Sequence, residues 1–163
     1  MKVRSAGSAD TPRIRELAVR LMDQSLPHWR DPAPLKDKLN EALAAYDGEM
    51  PQDHLLLVCE DDKGWIAGFA HAGMDADFFS GEAQAHLYYL VTDPSCEGKG
   101  VGRMLMDAVE DFARDKSATG ILLYVFSTNE RARSVYERYG FQDDMLKMVK
   151  PVSATRASGH SSK

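Results

Sequence analysis

Glycines stand at alternate positions in Glu97-Gly98-Lys99-Gly100-Val101-Gly102-Arg103, between an apolar run and a helix-like pattern. Such spacing lets the backbone bend tightly and turn its N–H groups toward an anion. A helix starting there adds the positive end of its dipole. The chemistry on offer is a cradle for phosphate or pyrophosphate; a glycine-rich turn without a ligand is the competing reading. Two phosphate loops are excluded by spacing. A Walker-type loop needs GxxxxGK followed by Ser or Thr, and Gly98-Lys99 has neither the upstream glycine nor the hydroxyl. A dinucleotide loop wants GxGxxG and an acid closing the next strand. Here the third glycine comes one place early, and that strand runs into Phe126-Ser127-Thr128.

The thiols carry less. Cys59 and Cys96 form neither a disulfide framework nor a metal-ligand spacing, so no metal is expected. Cys96 precedes the loop with no His at motif spacing, so it is not assigned as a nucleophile. Cys59, inside an apolar run, reads as buried.

The elements that must carry the loop follow from periodicity. Lys2 to Ser5 reads as an opening strand. Thr11-Pro12 starts a helix with apolar positions Ile14, Leu17, Ala18, Leu21 and Met22. After the loop SLPHWRDPAP, a second helix carries Leu35, Leu39, Ala42, Leu43 and Tyr46, and Gly48 suits its stop. His54–Glu60 and Trp65–Ala72 read as a hairpin, and Ala85–Thr92 as a third strand leading into the glycines. Val101, Met104, Leu105, Ala108, Val109 and Phe112 share one helical face. A strand over Ile121–Phe126, a helix from Asn129 to Gly140 and a last strand around Leu146–Val149 complete the chain. This order predicts a mixed α/β (α+β) sheet, with parallel strands on either side of the glycine-led helix.

Bulk properties narrow the class. At 163 residues, 44% of them hydrophobic, the chain fits one domain, residues 1–151; the polar end VSATRASGHSSK, 152–163, reads as a disordered tail. The formal net charge of −5 argues against a nucleic-acid partner, which would need a basic face. No apolar run approaches the ~20 residues of a membrane span, and the first residues lack a signal core, so a cytoplasmic protein is expected. A monomer and a homodimer both fit.

The segments LVTDPSCEGKGVGRMLM and ILLYVFSTNERARSVYERYGF resemble the GNAT superfamily of acetyl-CoA-dependent N-acetyltransferases. The family loop has Gln or Arg three places before a glycine, followed by x and Gly or Ala. Glu97, Gly100 and Gly102 hold those places, with Glu97 departing from the pattern. The family's NxxAxxxYxxxGF is matched by Asn129, Ala132, Tyr136, Gly140 and Phe141. The resemblance implies about six to seven strands flanked by about four helices, with a splayed parallel strand pair that binds CoA. It implies that Gly98, Lys99, Gly100, Val101, Gly102 and Arg103 hold the pyrophosphate, with Lys99 and Arg103 offsetting Glu97. Leu90, Val91 and Thr92 would meet the pantetheine arm through their main chain, joined by Asn129 and Ala132. Tyr136 would protonate the leaving thiolate.

The amine must lose a proton, and His86 on the third strand and Glu82 just before it are the candidate bases. For the acceptor, the loops supply His28, Trp29, Asp75, Asp77, Phe78 and Phe79. Carboxylates with aromatics suit a small cationic amine. A protein or peptide acetyltransferase, a catalytically silent acyl-CoA sensor and a nucleotide-binding regulatory domain stay open as alternatives.

Overall fold

Successive side chains of a strand face opposite ways, and this chain uses both faces. A computed structural model describes residues 1–23, 26–47 and 50–152. In it Leu57 and Cys59 of β2 (His54–Glu60) pack on one layer while Val58 between them packs on the other. Ala70 and Ala72 of β3 (Ile66–Ala76) join the first layer and Phe69 the second. The sheet therefore buries both faces under helices.

The sheet has five strands in the order β1-β2-β3-β4-β5. β1 (Lys2–Ser5), β2, β3 and β4 (Ala83–Thr92) pair antiparallel in sequence; β5 (Ile121–Leu122) joins β4 in parallel. One layer is α3 (Val101–Asp115), whose buried Val101, Leu105, Met106, Val109 and Ala113 recur at helical spacing. The other holds α1 (Thr11–Ala18) and α2 (Ala33–Ala44), which contribute Ile14, Leu17, Leu39 and Leu43. α4 (Glu130–Arg138) follows β5. Arg4 joins β1 to both neighbours, reaching Asp10 at 2.6 Å and Glu60 at 2.7 Å.

The mixed sheet and four helices agree with expectation, but among the described residues five strands replace the six to seven. β5 is shorter than Ile121–Phe126 because residues beyond Leu122 have no ladder with β4. Around Leu146–Val149 no strand forms: Leu146 is 77% and Met148 84% exposed, so no buried face offsets the ordering of that segment. β3 runs on to Ala76, four residues past the expected Ala72. The stop assigned to Gly48, and the tail apart from Val152, lie outside the described residues. Among the described residues no helix is long and apolar enough to cross a membrane.

Candidate active site

One extra residue opens the site. His71 of β3 pairs with Tyr89 of β4, but the next residue, Ala72, pairs with Leu87, leaving Tyr88 as a bulge. A bulge bends its strand and strengthens the local twist. On the other side of β4, parallel pairing stops at Ala85–Ile121 and His86–Leu122. Past these pairs the strands part around a cleft of about 780 Å³, with Tyr88 to Thr92 on one wall and Tyr124 to Phe126 on the other. The main-chain groups of β4 facing that gap have no strand partner after His86.

The glycine loop closes one end of this cleft. Asp93 starts it: its carboxylate accepts from Ser95 N at 2.8 Å and from Arg13 of α1 at 2.6 Å. Gly98 and Gly100 then take φ of 75° and 81°, the left-handed region that disfavours side chains, and a Cβ on either would meet nothing within 4 Å. The first α3 bond runs from Met104 N to Gly100 O. The amides of Val101, Gly102 and Arg103 precede it in the first turn and have no intrahelical partner. Those residues line the cleft, as do Gly98 and Gly100; Lys99 does not. Gly68 seats the helix against the sheet: a Cβ there would lie 2.7 Å from Val91 O and 2.9 Å from Val101 Cγ1.

Glu97 is compensated differently from expectation. Its carboxylate meets Arg20, beyond α1, at 2.8 Å and Arg131 of α4 at 2.6 Å. Arg103 is 78% exposed and faces Asp107, at 4.0 Å, rather than Glu97. Arg131 and Arg20 hold the Glu97 carboxyl below its usual range.

The remaining residues expected in the site divide. Asn129 caps α4, its side chain accepting from Ala132 N at 3.2 Å, and both residues line the cleft. Tyr136 also lines it, its ring 5.6 Å from Phe141, and burial raises its phenol above the ordinary value. His86 is not among the residues that line the cleft; it lies beside the bulge, its ring centroid 4.2 Å from Tyr88 and 5.2 Å from Tyr124, both of which do. Burial pulls its imidazole below the usual value while Asp75, 3.7 Å from Nδ1, partly opposes this. Leu90, Val91 and Thr92 line the cleft, and the Thr92 carbonyl accepts from Arg20.

Glu82 and Asp77 instead build the β3–β4 turn, where Asp77 N donates to Glu82 O and the Asp77 carboxylate accepts from Ser80 N. Phe78 is 87% exposed on that turn, stacked edge-on against Phe79. His28 and Trp29 belong to the α1–α2 loop, both exposed. The guanidinium of Arg30 stacks on Trp29 and on Phe126, drawing that loop to the edge of the cleft.

A polar series that no local sequence pattern announces lies near His86. Tyr46 hydroxyl meets His71 Nδ1 at 2.8 Å, and His71 Nε2 meets His54 Nδ1 at 3.0 Å. Tyr88 packs against both imidazoles. Burial lowers His71 to about 4, so it is neutral at physiological pH. Gly73 makes room, since a Cβ there would come within 3.0 Å of His54 and Tyr88.

Comparison with known proteins agrees with this architecture. The model of the GNAT acetyltransferase family matches residues 17–141. The chain belongs to that family. A mycothiol acetyltransferase from Propionibacterium freudenreichii subsp. shermanii is 44% identical over 86 residues, 53% of this chain and 27% of that protein. One from Beutenbergia cavernae is 36% identical over 102 residues, 62% of this chain and 33% of that protein. The chain thus spans about a quarter to a third of the length of these curated relatives. A variant of the BH1408 protein from Bacillus halodurans shares the fold with a TM-score of 0.75 at 19% identity, covering 93% of this chain and 100% of that one.

Proposed function

We propose that this chain transfers an acetyl group from acetyl-CoA to the amine of a small acceptor, by direct attack of the neutral amine on the thioester. The observation that carries this is the parting of β4 and β5 beyond His86, with the free amides of the α3 first turn at its end.

The residues present fit CoA. Amides of Val101, Gly102 and Arg103 at a helix N-terminus suit a pyrophosphate, and the open side of Gly98 and Gly100 leaves space for it. The unpaired edge of β4 at Leu90 and Val91 suits the amides of a pantetheine arm. When bound, acetyl-CoA supplies an activated acyl carbon. A β4 N–H facing its carbonyl oxygen contributes about 3–4 kcal/mol, the scale of one oxyanion donor.

His86 is the base. Its depressed pKa keeps it neutral at physiological pH, and Asp75 beside Nδ1 favours the tautomer that leaves Nε2 free to take a proton. Tyr136 is the acid. A buried phenol keeps its proton until a thiolate forms beside it; an ordinary thiol at about 8.5 against an ordinary phenol at about 10 already makes the transfer uphill, and the burial of Tyr136 adds to that. Matched relatives named mycothiol acetyltransferase support a small acceptor. Asp75 is the carboxylate left to meet a cationic amine, since Asp77 is used by the turn.

The test is a panel of polyamines, aminosugars, amino-acid amides and peptides with free amino termini, read by thiol release from acetyl-CoA. Release with small amines is expected. Release with peptides alone overturns the small-acceptor reading, and binding without release to any amine overturns catalysis.

A further inference from the structure

The residue before the glycine loop is an acid, and an acid beside a phosphate site opposes ligand binding by charge. Glu97 nevertheless sits at the hub of that site. Its Oε1 takes Arg20 at 2.8 Å and its Oε2 takes Arg131 at 2.6 Å. These side chains come from three separate parts of the chain, the segment after α1, the loop before α3 and the first turn of α4. All three residues line the cleft that Gly98, Gly100 and the first turn of α3 close. One carboxylate with each oxygen on a guanidinium has the donor pattern of a phosphate held by two arginines.

The two arginines differ in freedom. Arg20 is 29% exposed and also donates to the Thr92 carbonyl, which anchors it to the end of β4. Arg131 is 72% exposed, and Glu97 is its ion-pair partner among the described residues. A solvent-exposed pair of this kind is weak, because water screens both charges, so exchanging its anion is cheap.

We propose that Glu97 is a built-in stand-in for a ligand phosphate: it holds Arg131 at the cleft, and a phosphate of the incoming CoA takes Arg131 from it. The carboxylate keeps the arginine positioned before binding, and by competing for it limits affinity and speeds release of the product. This rests on the acetyl-CoA reading above and adds a positioning residue to it. The group that takes over is a phosphate ester, either the pyrophosphate or the ribose 3′-phosphate.

Isothermal titration of acetyl-CoA into wild type, Glu97→Gln, Arg131→Ala and the double variant tests this. Glu97→Gln should bind about three- to fivefold tighter, the scale of a partly exposed charge pair, with a steeper loss of affinity on adding salt. Arg131→Ala should cost more affinity in the Glu97→Gln background than in wild type, because no internal anion then competes for the guanidinium. Dephospho-CoA separates the sources. A gain that persists with it assigns the pyrophosphate, and a gain that disappears assigns the 3′-phosphate. Weaker or unchanged binding in Glu97→Gln, or additive effects of the two substitutions, would make Glu97 a fixed clamp and overturn the proposal. Failure of wild type to bind acetyl-CoA would instead remove the CoA reading and this proposal with it.

Discussion

Oδ2 of Asp75 lies 3.7 Å from Nδ1 of His86, the residue at which β4 makes its last pair with β5. The distance is that of a charge interaction rather than a hydrogen bond. It nonetheless sets two opposing influences on one imidazole, burial lowering its pKa and the carboxylate raising it.

The first prediction follows from that opposition. A base works only when unprotonated, so activity falls on the acid side as pH drops through the His86 pKa. Removing the carboxylate with Asp75→Asn lowers that pKa further, so the acid limb of kcat/KM should move to lower pH. His86→Gln should reduce kcat by roughly 10²–10⁴ and abolish the limb. Wild-type turnover with an unchanged profile in His86→Gln would return the residue to packing against Tyr88 and Tyr124.

Tyr136 is tested by removing only its hydroxyl. Tyr136→Phe retains the ring that packs near Phe141, so acetyl-CoA affinity should stay within about twofold, while kcat falls by roughly 10²–10⁴. Tyr139 lines the same cleft, and its hydroxyl would lie 3.6 Å from a Cβ at Gly102. A large loss in Tyr139→Phe with none in Tyr136→Phe would move the acid role there.

Gly68 offers a structural test away from the reacting groups. An added methyl would press on the Val91 carbonyl and on Val101, and the carbonyl belongs to the backbone and cannot turn aside. Gly68→Ala should cost about 1–3 kcal/mol in denaturant unfolding, as overpacking does. It should also weaken acetyl-CoA binding, because the first turn of α3 must shift. Unchanged stability and binding would show that the seat of α3 tolerates movement.

The parts of this site legible in the sequence are those whose signal is local. The glycine loop, the start of the last helix at Asn129 and the amphipathic stripe of α3 depend on neighbours within a few residues, and each is where the pattern put it. Expectations failed where long-range pairing decides. Residues 123–126 look like strand, but the bulge at Tyr88 belongs to a different segment and accompanies the loss of their ladder with β4. Asp75 and Asp77 looked equivalent two places apart; a local turn separates them, the Asp77 carboxylate accepting from Ser80 N. Tyr46, His54 and His71 come together only through the register of β2, β3 and β4 and the end of α2, for which no local motif exists. Arg20 and Arg131, the partners of Glu97, were invisible for the same reason.

Gly98, Gly100 and the first turn of α3, with the opened strands, are the proposed acetyl-CoA site. A thermal-unfolding comparison of acetyl-CoA, CoA, ATP and NAD on wild type and Gly100→Val tests it most directly. Binding to the folded state alone stabilises by about 2.7 kcal/mol at a hundredfold excess over Kd. Acetyl-CoA and CoA should raise the Tm of wild type while ATP and NAD leave it near its starting value. Gly100→Val forces a β-branched side chain into φ 81° on the open side of the loop, so it should stay folded and lose the response. Equal shifts from all four ligands, or none from acetyl-CoA, would mean that this loop is not an acetyl-CoA site.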